Sequence, residues 1–463
     1  MQRLLHFLIF CLSWQCLEAL PQDPVETILQ RAEQYLRKGM AAEDVKNLMV
    51  TLNDQDQWPD IDYTDQQPSA WSTATHLNRV RSMTLAWTDA TSVWFHDAAL
   101  KAVIDRALDH WLSKRYHNPN WWHNEIGIPR IMQDILVMLR HDLRGERFKQ
   151  AMDVLGQHKV RGTGANLAWS ADLGLHYGAL LHDPAMIQRC SQLISDEIKV
   201  SEEEGIQPDY SFHQHGARLQ TCHYGNAFLS ENVKVAWELR DTPWAFAENK
   251  IDILSNFVLD GWQWMSRGIY TVPGTLDRSV SRRGMLASAD LRDLLPYLIT
   301  LDEKKADVLD SLAKRQNGEG VPLLGYRYFP WSDFAAYQRP AFSFFVKTIS
   351  VRTRFTESIN GENLKGSLLN SGDTYFMRDG QEYFNLMPVW DWAHLPGITT
   401  FDGAKTVQQK FTGGASNGES GVAAMHYRAE DDRKNLTVNK LWASHGDAVV
   451  CLLSDLTTEN TGA

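Results

Sequence analysis

The chain is short of several features that mark large functional classes. It has no basic excess: 46 lysines and arginines stand against 57 aspartates and glutamates, a net charge of −11. That argues against a general nucleic-acid binder, which needs a basic face. An anionic ligand is still admitted, because screening over about 8 Å makes local charge matter more than the net balance. Cysteine is scarce, five residues in all, with no CxxC pair. Cys11 and Cys16 lie within an N-terminal apolar stretch, and Cys190, Cys222 and Cys451 are an odd, scattered remainder. Neither a disulfide framework nor a thiolate zinc site follows from them. No later run is apolar enough to span a bilayer. A repeat of fixed period is also missing. So are two carboxylates with the spacing logic of a glycoside hydrolase; Asp209 and Glu125 are the only acids near the polar motifs.

What is present begins with a secretory signal over residues 1–20. Arg3 supplies the positive start, Leu4 to Leu12 the apolar stretch, and Leu17-Glu18-Ala19 an imperfect cleavage site. From residue 21 to about 330 the pattern is helical. Leu100, Val103, Ile104, Ala107, Leu108, Trp111 and Leu112 fall on one helical face, as do Ile131, Ile135 and Leu139, then Ile187, Cys190, Ile194 and Ile198, then Leu254, Phe257, Val258 and Trp262. Breakers such as Asn118-Pro119-Asn120 and His182-Asp183-Pro184 separate them. Helices of this kind bury their stripes against one another, which suggests a ring or solenoid of helical hairpins. Over 331–463 the chain turns β-branched and aromatic. Residues 342–355, 422–427, 435–442 and 448–453 read as strands, and 374–377 with 382–384 as a hairpin around Arg378-Asp379-Gly380. Helices followed by strands imply two domains, joined between 317 and 340. The chain stops soon after a strand, and the strand domain is expected to be incomplete.

Five stretches are polar or aromatic where periodicity does not require it. NWWHNEIGIP at 120–129 puts two indoles side by side. Neighbours on a helix lie about 100° apart, so Trp121 and Trp122 cannot both face a core, and one is expected in a groove. With 17 tryptophans in the chain, indole faces are available to stack on sugar rings, though they also fill cores. GTGAN at 162–166 reads either as a helix start or as a close backbone approach to a ligand; it lacks the Lys-Ser/Thr of a phosphate loop. SFHQHG, with Tyr224 nine residues past His215, offers an imidazole and a phenol. A tyrosine becomes a base only when its pKa is lowered from about 10, and a neighbouring guanidinium has the right sign to do so. His213, His215 and His223 also read as zinc ligands, but no third acidic or thiolate ligand is placed by the spacing. RSVSR at 278–282 sets Arg278 and Arg282 four apart, on one face of a helical turn, able to grip a carboxylate or sulfate. NGEN at 360–363 is a tight turn. Outside these five, Trp390 and Trp392 flank Asp391 and would share one strand face, in the core or against a sugar.

These motifs, in this order, resemble polysaccharide lyase family eight, the family of chondroitin, hyaluronan and xanthan lyases; the likeness runs from about residue 70 to about 430. The resemblance implies an α+β multidomain fold: an incomplete (α/α) toroid followed by antiparallel β-sheet domains. It implies β-elimination at a uronic acid, with Tyr224 moving the proton, Arg278 beside it, and Asn166 and His215 at the uronate carboxylate. Arg282 would bind the sugar, and Glu362 would hold the network from the strand domain. Trp121 and Trp122 would form an aromatic patch; Asn360 and Trp390 are further candidate substrate contacts. His223 and Arg218 depart from the pattern and could alter subsite preference. The implied species is a secreted monomer, extracellular or periplasmic, acting on an acidic polysaccharide, with no cofactor, no metal, no nucleic acid and no membrane partner once the signal is removed. Chondroitin sulfate or hyaluronan is the expected substrate. Xanthan-type specificity, a glycoside hydrolase and a non-catalytic glycan binder are the alternatives.

The chemistry is consistent with those residue types. The C5 proton of a uronate is weakly acidic, and an ionised carboxylate resists further negative charge. A donor that stabilises the enolate-like state contributes typically about 2.7–4 kcal/mol.

Overall fold

Apolar stripes at helical spacing become packed hairpins. A computed structural model describes residues 23–39 and 44–460; the expected signal over 1–20 lies outside them. Leu100, Ile104, Ala107, Leu108, Trp111 and Leu112 are all buried, while Val103 at the stripe's edge is only partly so. Helix Thr75–Thr88 packs on Ala98–Lys114 and on Ile128–Met138, which in turn packs on Gly145–Leu155. Helix Gly164–Leu180 packs on Pro184–Glu197 and on Tyr224–Leu239, and Pro24–Gly39 returns to lie against Tyr224–Leu239. Acidic side chains cap helix starts, one of them in the breaker His182-Asp183-Pro184. Asp97 accepts the N–H of Leu100 at 2.8 Å, and Asp183 accepts those of Ala185 and Met186 with Pro184 at the first helical position. Each such cap stabilises its helix by about 1 kcal/mol.

The helices end at Gln316 and the first long strand begins at Gly325. Strands Gly325–Phe329, Phe334–Gln338, Ser343–Lys347 and Asp373–Met377 form an antiparallel meander. A second antiparallel sheet runs in the order Thr412–Ser416, Gly421–Glu430, Lys434–His445, Ala448–Asn460, with Lys405–Val407 also on Gly421–Glu430. Period two decides which side chains face inward. Ala423, Met425, Tyr427 and Ala429 of the second sheet meet Tyr337, Phe344 and Val346 of the first, a sandwich core. The first sheet's other face carries Phe334, Ala336, Phe345, Tyr375 and Met377, and these pack on Leu219, Met265 and Val272 of the helical part. The meander is therefore the middle layer of the junction.

Three strand expectations fail for local reasons. The run 342–355 stops as a strand at Lys347, because Ser350 and Thr353 hydroxyls turn back onto the buried Asp333 carboxylate at 2.7 Å each. Residues 382–384 form no hairpin partner; Glu382 instead folds over the turn and accepts the N–H groups of Asp379 and Gly380 at 3.0 Å. Trp390 and Trp392 do not share a strand face. They follow a short 3-10 turn, Met387–Val389, where Pro388 has no N–H for a ladder.

Candidate active site

The cleft lies where the helical part meets the excursion 348–372 between two neighbouring strands. Its volume is about 740 Å³, and Asn166, His215, Tyr224, Arg278, Arg282 and Glu362 all line it, together with Trp121, Trp122 and Asn360. Residues nearly two hundred positions apart in the chain thus meet in one concavity. Trp390 is the exception. It packs on Tyr375, with ring centroids 6.4 Å apart, and on Trp392 at 5.5 Å, and does not line the cleft.

Each side chain has a backbone reason for its place. Asn166 sits in the first turn of helix Gly164–Leu180, and Thr163 takes the capping position. Gly164 has φ +53°, and a Cβ there would lie 2.2 Å from Gln214 Oε1. This glycine serves the close approach of the His215 segment rather than a phosphate. His215 itself is left-handed, φ 59°. Arg218, flagged in the sequence, braces this turn from behind: its guanidinium contacts His215 O and donates to Phe355 O at 2.8 Å. Tyr224 opens helix Tyr224–Leu239, and Arg278 lies on the 3-10 turn Asp277–Ser281.

Arg278 is the hub. Its Nη2 donates to Tyr224 Oη at 2.9 Å, its Nε to Glu362 Oε2 at 3.0 Å, and its Nη1 to Glu357 Oε1. Arg282 also grips Glu362, with Nη2 to Oε2 at 2.9 Å. Burial alone would raise the Glu362 carboxyl, but the two guanidiniums outweigh it and hold the group below the usual carboxylate range. His215 Nδ1 lies 2.9 Å from Glu357 Oε1, and its ring centroid lies 4.9 Å from that of Tyr224. Burial, helped by Arg278, lowers the His215 pKa. A neutral ring bonded to a carboxylate carries its proton on Nδ1, which leaves Nε2 for a substrate. His223 is likewise held neutral, by burial and then Arg282, and bonds Gln220 through Nδ1 at 2.9 Å. The Asn166 Oδ1 is buried without a hydrogen-bond partner. Beneath the hub, Asp277 accepts the Glu357 N–H at 2.8 Å, and burial pushes its carboxyl up to about 7.

One wall is aromatic. The Trp122 and Trp169 rings are 5.8 Å apart, and Trp169 lies 6.3 Å from Tyr224. Trp121 is exposed, with the Arg161 guanidinium 5.0 Å over its face. Sequence reading missed Trp169, Glu357 and Asp277. Trp169 had a findable signal, since it stands one helical turn past Asn166. Glu357 had none, because no spacing tells that an acid five residues before Glu362 reaches back to Arg278.

The other chemistries considered find different structures. His213 bonds Ser332 Oγ at 2.9 Å while His215 and His223 take their own partners, so the three do not converge on one point. A different trio, Asp172, His176 and Glu238, brings its ligand atoms within 4.8 Å of one another. It is charge-balanced without an ion: Lys234 donates to Asp172 at 2.8 Å, and against the pull of burial the two carboxylates push His176 up to about 10. Glu125 is paired to Lys159 at 2.7 Å and to Arg161. Asp209 is buried against Ser211 and the Trp331 N–H. Neither acid lines the cleft.

Helical hairpins, a sandwich and this cleft define the fold of a polysaccharide lyase. Residues 16–315 match the polysaccharide lyase family 8 N-terminal alpha-helical domain, and residues 324–463 match the family's super-sandwich domain. The chain belongs to polysaccharide lyase family 8. It is 31% identical over 458 residues to Chondroitinase-AC of Pedobacter heparinus, covering 92% of this chain and 63% of that protein. It is 26% identical over 461 residues to a hyaluronate lyase of Thermasporomyces composti, covering 86% of this chain and 58% of that protein. The chain thus spans about three fifths of the length of these curated relatives. A chondroitinase AC lyase solved with bound oligosaccharides superposes with a TM-score of 0.85 at 27% identity, over 94% of this chain and 67% of that one.

Proposed function

We propose that the protein cleaves a uronic-acid polysaccharide by β-elimination, with chondroitin sulfate or hyaluronan as substrate. The observation that carries this reading is the donation from Arg278 Nη2 to Tyr224 Oη, with Asn166 and His215 in the same cleft. The guanidinium holds the phenol oxygen in a fixed position by a charge-assisted hydrogen bond, where a proton-abstracting tyrosine must present it. Tyr224 takes the proton from C5 of the uronate. The electron pair moves into the C4–C5 bond, the C4–O bond breaks, and the departing O4 takes from Tyr224 the proton that came from C5. Abstraction and donation then occur on one face, a syn elimination, and no water attacks.

The carboxylate must be masked for this to work. Before substrate arrives, Arg278 and Arg282 balance Glu357 and Glu362. A uronate adds one negative charge beside a neutral His215. That charge and Glu357 together favour imidazolium, so that Nε2 gains a proton to donate to the carboxylate. The Asn166 amide is the second donor. The aromatic wall supplies a face for the neighbouring sugar ring.

The expected species is secreted and acts as a monomer; among the described residues no helix is long and apolar enough to cross a membrane. The test is incubation with chondroitin sulfate, hyaluronan and xanthan, reading ultraviolet absorbance from the new C4–C5 double bond. Tyr224→Phe should lose about 10²–10⁴-fold in rate. Reducing ends without absorbance, or an active Tyr224→Phe, would overturn the reading.

A further inference from the structure

The start of helix Gly164–Leu180 is capped from outside. Thr163 stands at the capping position without a side-chain bond to the helix, where a threonine oxygen ordinarily takes a free N–H. Glu197 Oε1 accepts the Gly164 N–H instead, and Gln214 Oε1 accepts that of Ala165 at 3.3 Å. The Thr163 hydroxyl is turned to Glu204, donating to Oε2 at 2.6 Å. Gln214 Nε2 donates to the same oxygen at 2.8 Å, and the Gly216 N–H donates to Glu204 Oε1 at 2.6 Å. One carboxylate thus joins the residue before the Asn166 helix to both neighbours of His215. Register explains how it gets there. Gly205 pairs with His213 where strand Gly205–Ile206 meets strand Phe212–His213, so the ladder's continuation sets Glu204 beside Gln214. All three partners are donors, and an ionised carboxylate accepts from all of them at once. An amide of the same size would turn its NH2 either to the Gly216 N–H or to Gln214, which cannot rotate to receive it without giving up the Ala165 N–H. Glu204 is half-buried and lines no part of the cleft.

We propose that Glu204 is a positioning residue for the elimination: it clasps the start of the Asn166 helix to the His215 turn and so sets the separation of the two donors to the uronate carboxylate. This rests on the lyase reading above. Glu357 bonds the His215 ring itself, whereas Glu204 fixes the backbone that carries it. Correctly spaced donors stabilise the enolate-like charge as it forms more than they stabilise the bound carboxylate. Loosening the clasp therefore acts on kcat before KM.

The test uses the full chain carrying Glu204→Gln, close to the parent in size. On chondroitin sulfate or hyaluronan, whichever the parent cleaves, kcat should fall about tenfold with KM within threefold. Hydrogen exchange read by mass spectrometry should quicken about tenfold across 163–166 and 214–217. It should stay at the parent's level in helix Ala98–Lys114, which reports that the chain is folded. Glu204→Asp keeps the charge but falls short of the three donors, and should show the same pair of changes at smaller size. Glu202→Gln, the same charge change on an exposed neighbour, should leave both readings unchanged. A parent inactive on every polymer would sink the lyase reading, and exchange would still judge the clasp. Unchanged exchange in the two segments, an unchanged kcat, or an equal effect from Glu202→Gln would overturn the proposal.

Discussion

Glu357 decides what His215 can do. An imidazole with no partner samples both tautomers, and only one presents a useful nitrogen to a substrate. Here the carboxylate fixes Nδ1 at 2.9 Å and also touches Arg278, so one acid orients both the ring and the hub of the site. It lines no part of the cleft and is a positioning residue. Glu357→Gln should therefore lower kcat about ten- to a hundredfold while KM stays within threefold, measured by initial rates of absorbance. Glu357→Asp should recover part of the loss. A rise in KM with normal kcat would instead mean that Glu357 holds the sugar. The place of Arg278 beside Tyr224 was implied by the family resemblance that RSVSR helps to carry; its spacing alone put two arginines on one face and named no partner. Glu357 was not legible, since its partners are supplied by tertiary structure alone.

At the scale of elements, turns carry the precision of the site. Gly164 begins a helix at φ +53° against the side chain of Gln214, so Gly164→Ala forces both a left-handed alanine and the displacement of Gln214. The first effect alone costs about 1–2 kcal/mol. The expected result is a lower thermal midpoint together with reduced kcat, since the same contact sets Asn166 against the His215 turn; an unchanged midpoint would refute it. The helices themselves were readable because apolar spacing near 3.6 is a strong local signal, as Leu100 to Leu112 illustrate. The long strands after residue 420 were readable for the matching reason, alternation at period two. What failed were short segments decided by a distant or local carboxylate. Asp333 ends the strand at Lys347 from outside any short window, and Glu382, inside its window, takes the turn's N–H groups in place of a hairpin; strand propensity reads neither competition. Trp390 failed because it follows a 3-10 turn and its ring packs on Tyr375 of the strand Asp373–Met377.

Over the whole molecule, histidines buried as neutral rings set an acid limit. His76 accepts from the Tyr63 hydroxyl through Nδ1 at 2.9 Å and donates through Nε2 to Ala107 O at 2.8 Å. That geometry suits the neutral ring, and burial lowers its pKa to about 4. The unfolded chain titrates near 6.5 and so binds more protons between those values. This stability is complete above about 6.5 and is lost as pH falls toward 4, about 3 kcal/mol in all. Asp277, pushed up to about 7, has the opposite sign: its contribution is complete below its unfolded value and is lost as pH rises through 7. The two are separated by a variant. His76→Gln should show a smaller drop in thermal midpoint between pH 7.5 and pH 5 than the parent; an equal drop would remove His76 from the account. The excursion 348–372 has a different consequence. Its flanks are rungs of one ladder, Lys347 opposite Asp373, its first part is pinned by Arg354 N to Ala217 O at 2.9 Å, and Leu368 and Leu369 are sunk among the helices. Such a segment is a buckle rather than a flap. Under the proposed lyase reading, the gap it leaves for polymer is a built dimension of the cleft rather than one set anew at each turnover.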